Sequence, residues 1–176
     1  LLSKKEESSA LYGGIDPAAD DNSVIKVASE NGQVEVVRLL LRKKEEKPEL
    51  YQNIDPAAEN NHAIGAASSN GHVEIVELLL SKREEKPELY GDVNPASADN
   101  YPIRTASENG RVEVVKLLLE KKESDADNTH GYQDIDPAAA DNYALLMAAE
   151  YGYAEVVEFL LTKKEEKPEL YRNIDP

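Results

Sequence analysis

The fold class this sequence predicts is all-α: a helix-loop-helix solenoid with projecting loops or short hairpins. Three observations predict it. The first is a fixed beat, sought before any helix is assigned because a missed repeat misdirects every later reading. Glycines after Asn or Tyr fall at Gly32, Gly71, Gly110 and Gly152, at intervals of 39, 39 and 42 residues. The second is a proline on the same beat, closing an I-D-P element or its variant at Pro17, Pro56, Pro95, Pro137 and Pro176. The third is that each period holds two helical patterns, too apolar together for isolated surface helices.

Taken in order, each unit opens with a short inner helix. In the first unit Asp21 or Asn22 can cap it, Val24, Ile25, Val27 and Ala28 supply apolar surface, and Asn31-Gly32 ends it with a residue tolerant of positive φ. The outer helix follows at Val34 and runs through Leu39-Leu40-Leu41 to Lys43-Lys44. Its apolar positions 34, 36, 37, 39, 40 and 41 exceed a one-sided stripe, so neighbouring units must cover it on two sides. Lys and Arg in its last turn suit the negative end of the macrodipole, and Pro48, Pro87 and Pro168 forbid continuation. From there Glu49-Leu50-Tyr51 and Ile54-Asp55-Pro56 read as an extended loop or hairpin. The array divides into a partial repeat 1–17 and repeats 18–56, 57–95, 96–137 and 138–176. The longer third interval reflects an insertion at 124–131 that adds three net residues. Leu1-Leu2-Ser3-Lys4-Lys5-Glu6-Glu7 aligns on Leu79 to Glu85, so the chain starts within an outer helix and reads as a segment of a longer array. Neither end looks like a polar capping repeat, which predicts apolar end faces and a tendency to stack end to end.

Composition narrows the function. Of 176 residues, 35 are Asp or Glu and 20 Lys or Arg, a net charge of -15 that disfavours nucleic acid and anionic membranes as partners. With no Cys, the chain has no disulfide frame and no thiolate chemistry. The leucine runs stop at three residues, such as Leu39–Leu41, and nothing reads as a membrane span or signal peptide. A cytoplasmic location is the expectation.

The stretch Ala67-Ser68-Ser69-Asn70-Gly71-His72-Val73-Glu74-Ile75-Val76-Glu77-Leu78-Leu79-Leu80 resembles the ankyrin-repeat core, an A-A-x-x-G-H-x-E-V-V-x-L-L-L line. The match recurs at 28–41, 106–119 and 148–161. The sequence departs from the family twice. The T-P-L-H opening of the inner helix survives only as Pro102-Ile103, and the period is about six residues longer than the usual 33 or so. The spelling of the repeats is similar to the divergent ankyrin arrays of amoebae and of the giant viruses that infect them.

Candidate chemistry is sparse. Asp125-x-Asp127-x-Thr129 with Asp136 at the twelfth position imitates calcium-loop spacing, but His130 stands where the turn demands Gly and position twelve is not Glu. A solvated insertion is the simpler reading. His62, His72 and His130 have no i, i+4 companion for a metal, and His72 suits a turn hydrogen bond. The pairs Glu45-Glu46, Glu84-Glu85 and Glu165-Glu166 sit among lysines and read as a solvated face. No glycine pattern cradles a phosphate. The tyrosines at 12, 51, 90, 132 and 171 read as packing posts, and the I-D-P aspartate as a loop tie. No cofactor, no metal and no catalytic group is expected.

What can differ between units without breaking the framework is where a binding surface can be written. The resemblance places that surface on the concave side, formed by inner helices and loop tips. Mapped there, it comprises Ser23, Val24 and Lys26, then His62 and Ala63, then Tyr101, Pro102 and Arg104, then Tyr143, Ala144 and Leu146. Lys26, His62, Tyr101, Arg104, Tyr143 and Leu146 are the candidate partner-binding residues, with Tyr and Arg the types favoured at hot spots. The resulting expectation is a protein-protein interaction scaffold; the alternative is a structural spacer in a long array without its own ligand.

Overall fold

The structure is a computed structural model and describes residues 14–175. The expectations for Tyr12, for Leu1 to Glu7 and for most of the partial repeat lie outside the described residues. Each unit contributes an inner helix, an outer helix and a closing turn. They are α1 (Ala19–Glu30), α2 (Val34–Glu46) and α3 (Pro48–Tyr51); α4 (Ala58–Asn70), α5 (Val73–Glu85) and α6 (Pro87–Tyr90); α7 (Ser97–Glu108) and α8 (Val112–Ser124) with a 3-10 turn at Tyr132–Asp134; and α9 (Ala139–Glu150), α10 (Ala154–Glu166) and α11 (Pro168–Tyr171). Inner helices stack on inner helices in chain order, and outer helices line up behind them. No strand is present among the described residues.

The short hairpins expected after the outer helix are one-turn helices. Lys47, Lys86 and Lys167 leave the helical region at φ of -140, -140 and -135. The following proline then starts the next turn, where its fixed φ fits and its missing N–H is not needed. The same proline therefore stops one helix and begins another.

The inner helix also begins differently from the capping expectation. After its first residue the span runs through three consecutive left-handed residues, Asp20-Asp21-Asn22, and the same occurs at 59–61, 98–100 and 140–142. Each triplet closes on an N–H of the Asn to a carbonyl four residues back, as for Asn61 to Ala57 at 2.9 Å. Left-handed residues other than glycine cost about 1–2 kcal/mol each, and Asn tolerates the region best. Asn holds the third position in all four units and does more than turn the chain. Its Oδ1 accepts the backbone N–H of Asp55, Asn94, Asp136 and Asp175 in turn, at 2.7–2.8 Å, from Asn22, Asn61, Asn100 and Asn142. The right-handed helix starts only after this Asn, which is why Pro102 is accommodated in α7's first right-handed turn.

The core is the set of columns that each unit repeats. Ile25, Ile64 and Ile103, Val37, Val76 and Val115, and Leu41, Leu80 and Leu119 are fully buried. Each side chain so covered is worth about 1.5–3 kcal/mol. Tyr51, Tyr90, Tyr132 and Tyr171 are each about 1% exposed, wedged as packing posts under the outer helices. At the two ends the columns open: Val24, Val27 and Val36 are exposed on one face, and Val157 and Leu161 are only half-buried on the other.

Candidate functional site

The elements that fix the inner helices relative to one another come first, because they decide which side chains remain for a ligand. The I-D-P aspartate ties its own loop: Asp16, Asp55 and Asp136, and Asn94 in the same place, accept the N–H two residues on through Oδ1 at 2.9 Å. The outer helix reaches down to the next loop through a cation. Lys44 donates to the Ile54 carbonyl at 2.6 Å and Lys122 to the Gln133 carbonyl at 2.5 Å, while Arg83 and Lys164 make the equivalent bonds to Val93 and Ile174. Burial lowers the pKa of the Lys44 and Lys122 ammoniums against the opposing pull of nearby aspartates.

The paired glutamates are not uniformly solvated. Glu45 and Glu84, each the first of its pair, are joints between units, as is Glu123 at the same phase, whereas Glu165 is exposed. Glu45 accepts from Lys82 at 3.0 Å, Lys86 at 2.5 Å and the Tyr90 hydroxyl at 3.3 Å. Glu123 repeats this with Lys163 at 3.0 Å, Lys167 at 2.6 Å and Tyr171 at 2.9 Å. Glu84 meets Lys121 at 2.7 Å; the 124–131 insertion has removed the Lys-Pro-Glu-Leu that would bring a second lysine. Desolvation, the largest single influence, raises the Glu45 and Glu123 carboxyls, yet the lysine hydrogen bonds together leave both below the usual range.

In the 124–131 insertion the aspartates are engaged by the loop's own backbone. Asp125 is buried and its carboxylate takes the N–H groups of His130 at 3.0 Å and Tyr132 at 2.8 Å, while Asp127 accepts from the Thr129 N–H at 3.3 Å. The carboxylate oxygens of Asp125 that spacing would have offered to a cation point at donors instead. Among the described residues there is no group of three or more His, Asp or Glu that could hold a metal ion.

His72 does form a hydrogen bond, though outside its own turn. Its Nε2 donates to the Glu30 carbonyl of the preceding unit at 2.9 Å, and Arg111 does likewise to Ser69 at 3.1 Å. His72, Arg111 and Tyr153, each just after a helix-ending glycine, lean on the glycine one unit earlier. A Cβ on Gly32 would stand 2.7 Å from the His72 ring, and one on Gly110 would stand 2.5 Å from the Tyr153 ring. Those glycines serve a left-handed φ and a close approach at once.

With the framework accounted for, the candidate residues form a single row. Residues at the start of one inner helix interdigitate with those one turn into the preceding one. Lys26 reaches Glu59 at 2.7 Å, beside His62; Tyr101 lies over Gly65; and the Arg104 guanidinium sits over the Tyr143 ring at 5.1 Å while pairing with Asp99 at 3.1 Å. Leu146 closes the row, 58% exposed. Desolvation and the neighbouring Glu108 carboxylate push the Tyr143 phenol pKa upward.

The row separates the mapped residues. His62, Tyr101 and Leu146 are exposed, Arg104 and Tyr143 partly so. Lys26 is buried and spent on Glu59. Ala63, Pro102 and Ala144 face the neighbouring unit and are buried; only Val24, at the end of the stack, remains exposed at that position. Sequence reasoning missed Gly65, where a Cβ would meet the Tyr101 ring at 2.8 Å. Its signal was its place among Lys26, Arg104 and Leu146 at the same phase, where a glycine in a helix needs a packing reason.

Stacked helix pairs with one shared core define a helical repeat solenoid. The family model for ankyrin repeats (three copies) matches residues 10–90 and 86–171. The chain belongs to the ankyrin-repeat family, whose members are generally protein-protein interaction modules. No curated protein and no solved structure is matched by this chain. No helix among the described residues is long and apolar enough to cross a membrane.

Proposed function

We propose that this chain binds a partner protein through the concave row of its inner helices, without a catalytic step. The observation that carries this reading is the division of labour between positions. Side chains that recur in every unit, the Asn, Tyr and Lys of the framework, are consumed in bonds within a unit or between neighbouring units, whereas those that differ line the row from His62 to Leu146. Tyr101, Arg104, Tyr143 and Leu146 combine aromatic surface, one guanidinium and exposed aliphatic surface, the composition of an interface centre. Because neighbouring helices already hold this surface in place, binding orders few side chains, and a standard interface would cover about 800 Å² of it.

A second reading, a spacer without a ligand, is favoured by the ion joints at Glu45 and Glu123, which would stiffen an array whatever its inner surface did. The two separate in a pull-down followed by mass spectrometry. The native chain is compared with a Tyr101→Ala, Arg104→Ala, Tyr143→Ala variant matched for helicity and Tm. A protein retained by the first and lost by the second is the expected outcome. Identical retention, or none, would leave the spacer.

A further inference from the structure

The concave row lies between two lines of negative charge. At the loop-tip end of the inner helices stand Asp20, Asp21, Glu59, Asp99 and Asp141, all exposed. At the opposite end, nine residues on from Asp21, Asp99 and Asp141, stand Glu30, Glu108 and Glu150. Between these lines the surface is apolar and aromatic: Tyr101 is 42% exposed and Leu146 58%, with Tyr143 and Met147 half-buried beside them. The cations in the band do not balance this. Lys26 pairs with Glu59 and Arg104 with Asp99, so these four charges offset one another and the lines are carried by Asp20, Asp21 and Asp141 at one end and Glu30 and Glu150 at the other.

We infer that the occupant of this band is a cationic amphipathic helix of a partner protein, an inference that rests on the concave-row reading above. A helix laid across the inner helices presents an apolar stripe with a flank on either side, which matches an apolar floor with a carboxylate line along each edge. Packed helices lie 8–10 Å apart, so crossing four of them spans roughly 24–30 Å, which a helix covers in about 16–20 residues. Its Lys or Arg flanks would face Asp141 and Asp21 on one side and Glu150 and Glu30 on the other. Charge complementarity of this kind raises the association rate and makes affinity fall with salt. It also selects against acidic partners, which the net charge of -15 already repels.

The probe is a labelled synthetic 18-residue peptide with Leu at i, i+3, i+4 and i+7 spacing and Lys on both flanks. Two companions accompany it: the same peptide with Glu for Lys, and a scrambled peptide of the first one's composition. Fluorescence anisotropy gives affinity, and amide and methyl NMR shifts give the location. The Lys peptide is expected to bind saturably, gain helicity, shift Tyr101, Thr105, Leu146 and Met147, and weaken with salt. Tyr101→Ala, whose ring is exposed enough to leave folding intact, is expected to weaken it about tenfold. Asp141→Asn with Glu150→Gln is expected to weaken it by about the same factor and to flatten the salt dependence. Equal binding of the scrambled peptide would reduce the effect to bulk charge and overturn the inference. Tighter binding of the Glu peptide at the same residues would overturn the partner class while leaving the concave row standing. Binding of the Lys peptide that is indifferent to Tyr101→Ala and shifts only Val157 and Leu161 would overturn both.

Discussion

Asn61 shows how much one side chain can carry in this array. It occupies the last of three left-handed positions at φ 65, and its Oδ1 takes the Asn94 N–H at 2.7 Å. The two roles can be separated by substitution. Asn61→Gly keeps the left-handed backbone without penalty but strands the Asn94 N–H, a loss of about 1–2 kcal/mol. Asn61→Ala strands the same group and adds about 1 kcal/mol for a Cβ in the left-handed region. Urea unfolding with an unchanged m-value should therefore rank the native chain above Gly and Gly above Ala; equal midpoints for all three would remove the asparagine from the framework. Gly65 is a contrasting single-residue case, since its backbone is ordinary helix and only the Tyr101 ring excludes a Cβ. Gly65→Ala is expected to change stability by less than about 1 kcal/mol, the helix-propensity gain opposing the clash. It should nonetheless displace the Tyr101 ring resonances and weaken partner binding. Unchanged Tyr101 shifts would sink that expectation.

At the scale of elements, the joints between outer helices explain why position within the stack matters more than residue type. Glu123 and Glu165 occupy the same place in successive outer helices, but Glu123 is closed in by Lys163, Lys167 and Tyr171, whereas Glu165 is exposed. Glu123→Gln is expected to cost about 2 kcal/mol, because it weakens charged hydrogen bonds in a mostly covered site, while Glu165→Gln should stay within about 0.5 kcal/mol. Their pH behaviour follows. A carboxyl whose folded pKa lies below its unfolded value of about 4.3 contributes stability that is complete above that value and is lost as pH falls through the folded pKa. Both Glu45 and Glu123 are depressed, so urea midpoints should fall from about pH 5 downward, and less steeply in Glu123→Gln. A slope unaltered by that substitution would place the acid sensitivity elsewhere. These joints mark the boundary of what local sequence could reveal. The period, the helix pair, the glycine stops and the buried tyrosines are legible because each is written within one unit and repeated. The acceptors of Lys86 and Tyr90 on Glu45 lie 41 and 45 residues away, so a glutamate pair read locally looks solvated. Pro48 likewise signals only a stop; that it also begins a helical turn depends on the Tyr51 ring being buried beneath the outer helix. Of the candidate site, the exposed Tyr101 and Leu146 were legible as variation between units, while the burial of Lys26, Ala63 and Ala144 was not, because each is covered by a neighbouring unit.

For the whole molecule, stability is a sum of unit and neighbour terms, so protection should follow cover. The two inner units are sandwiched: Ile75, Val76, Leu79 and Leu80 in α5 and Val114, Val115, Leu118 and Leu119 in α8 are buried. In α10 only Val156 and Leu160 are buried, and Val157 and Leu161, whose counterparts inside the stack are fully covered, are half-buried. Half-exposing two aliphatic side chains forgoes about 2 kcal/mol of transfer free energy. Opening of α10 should accordingly be easier than opening of α5 by about that amount, and its slowest amides should exchange about 30-fold faster in the regime where exchange reports the opening equilibrium. Hydrogen-exchange mass spectrometry on peptides from α5, α8 and α10 measures this directly. The gradient also bears on function, because Arg104, Tyr143 and Leu146 lie on α7 and α9, between the best covered units and the least covered one. A ligand lying across all four inner helices would bridge that step, so the α10 amides should gain more protection on binding than those of α5. Equal gains in both helices would mean that the array opens as a single cooperative block, and that the ligand stabilises it only as a whole.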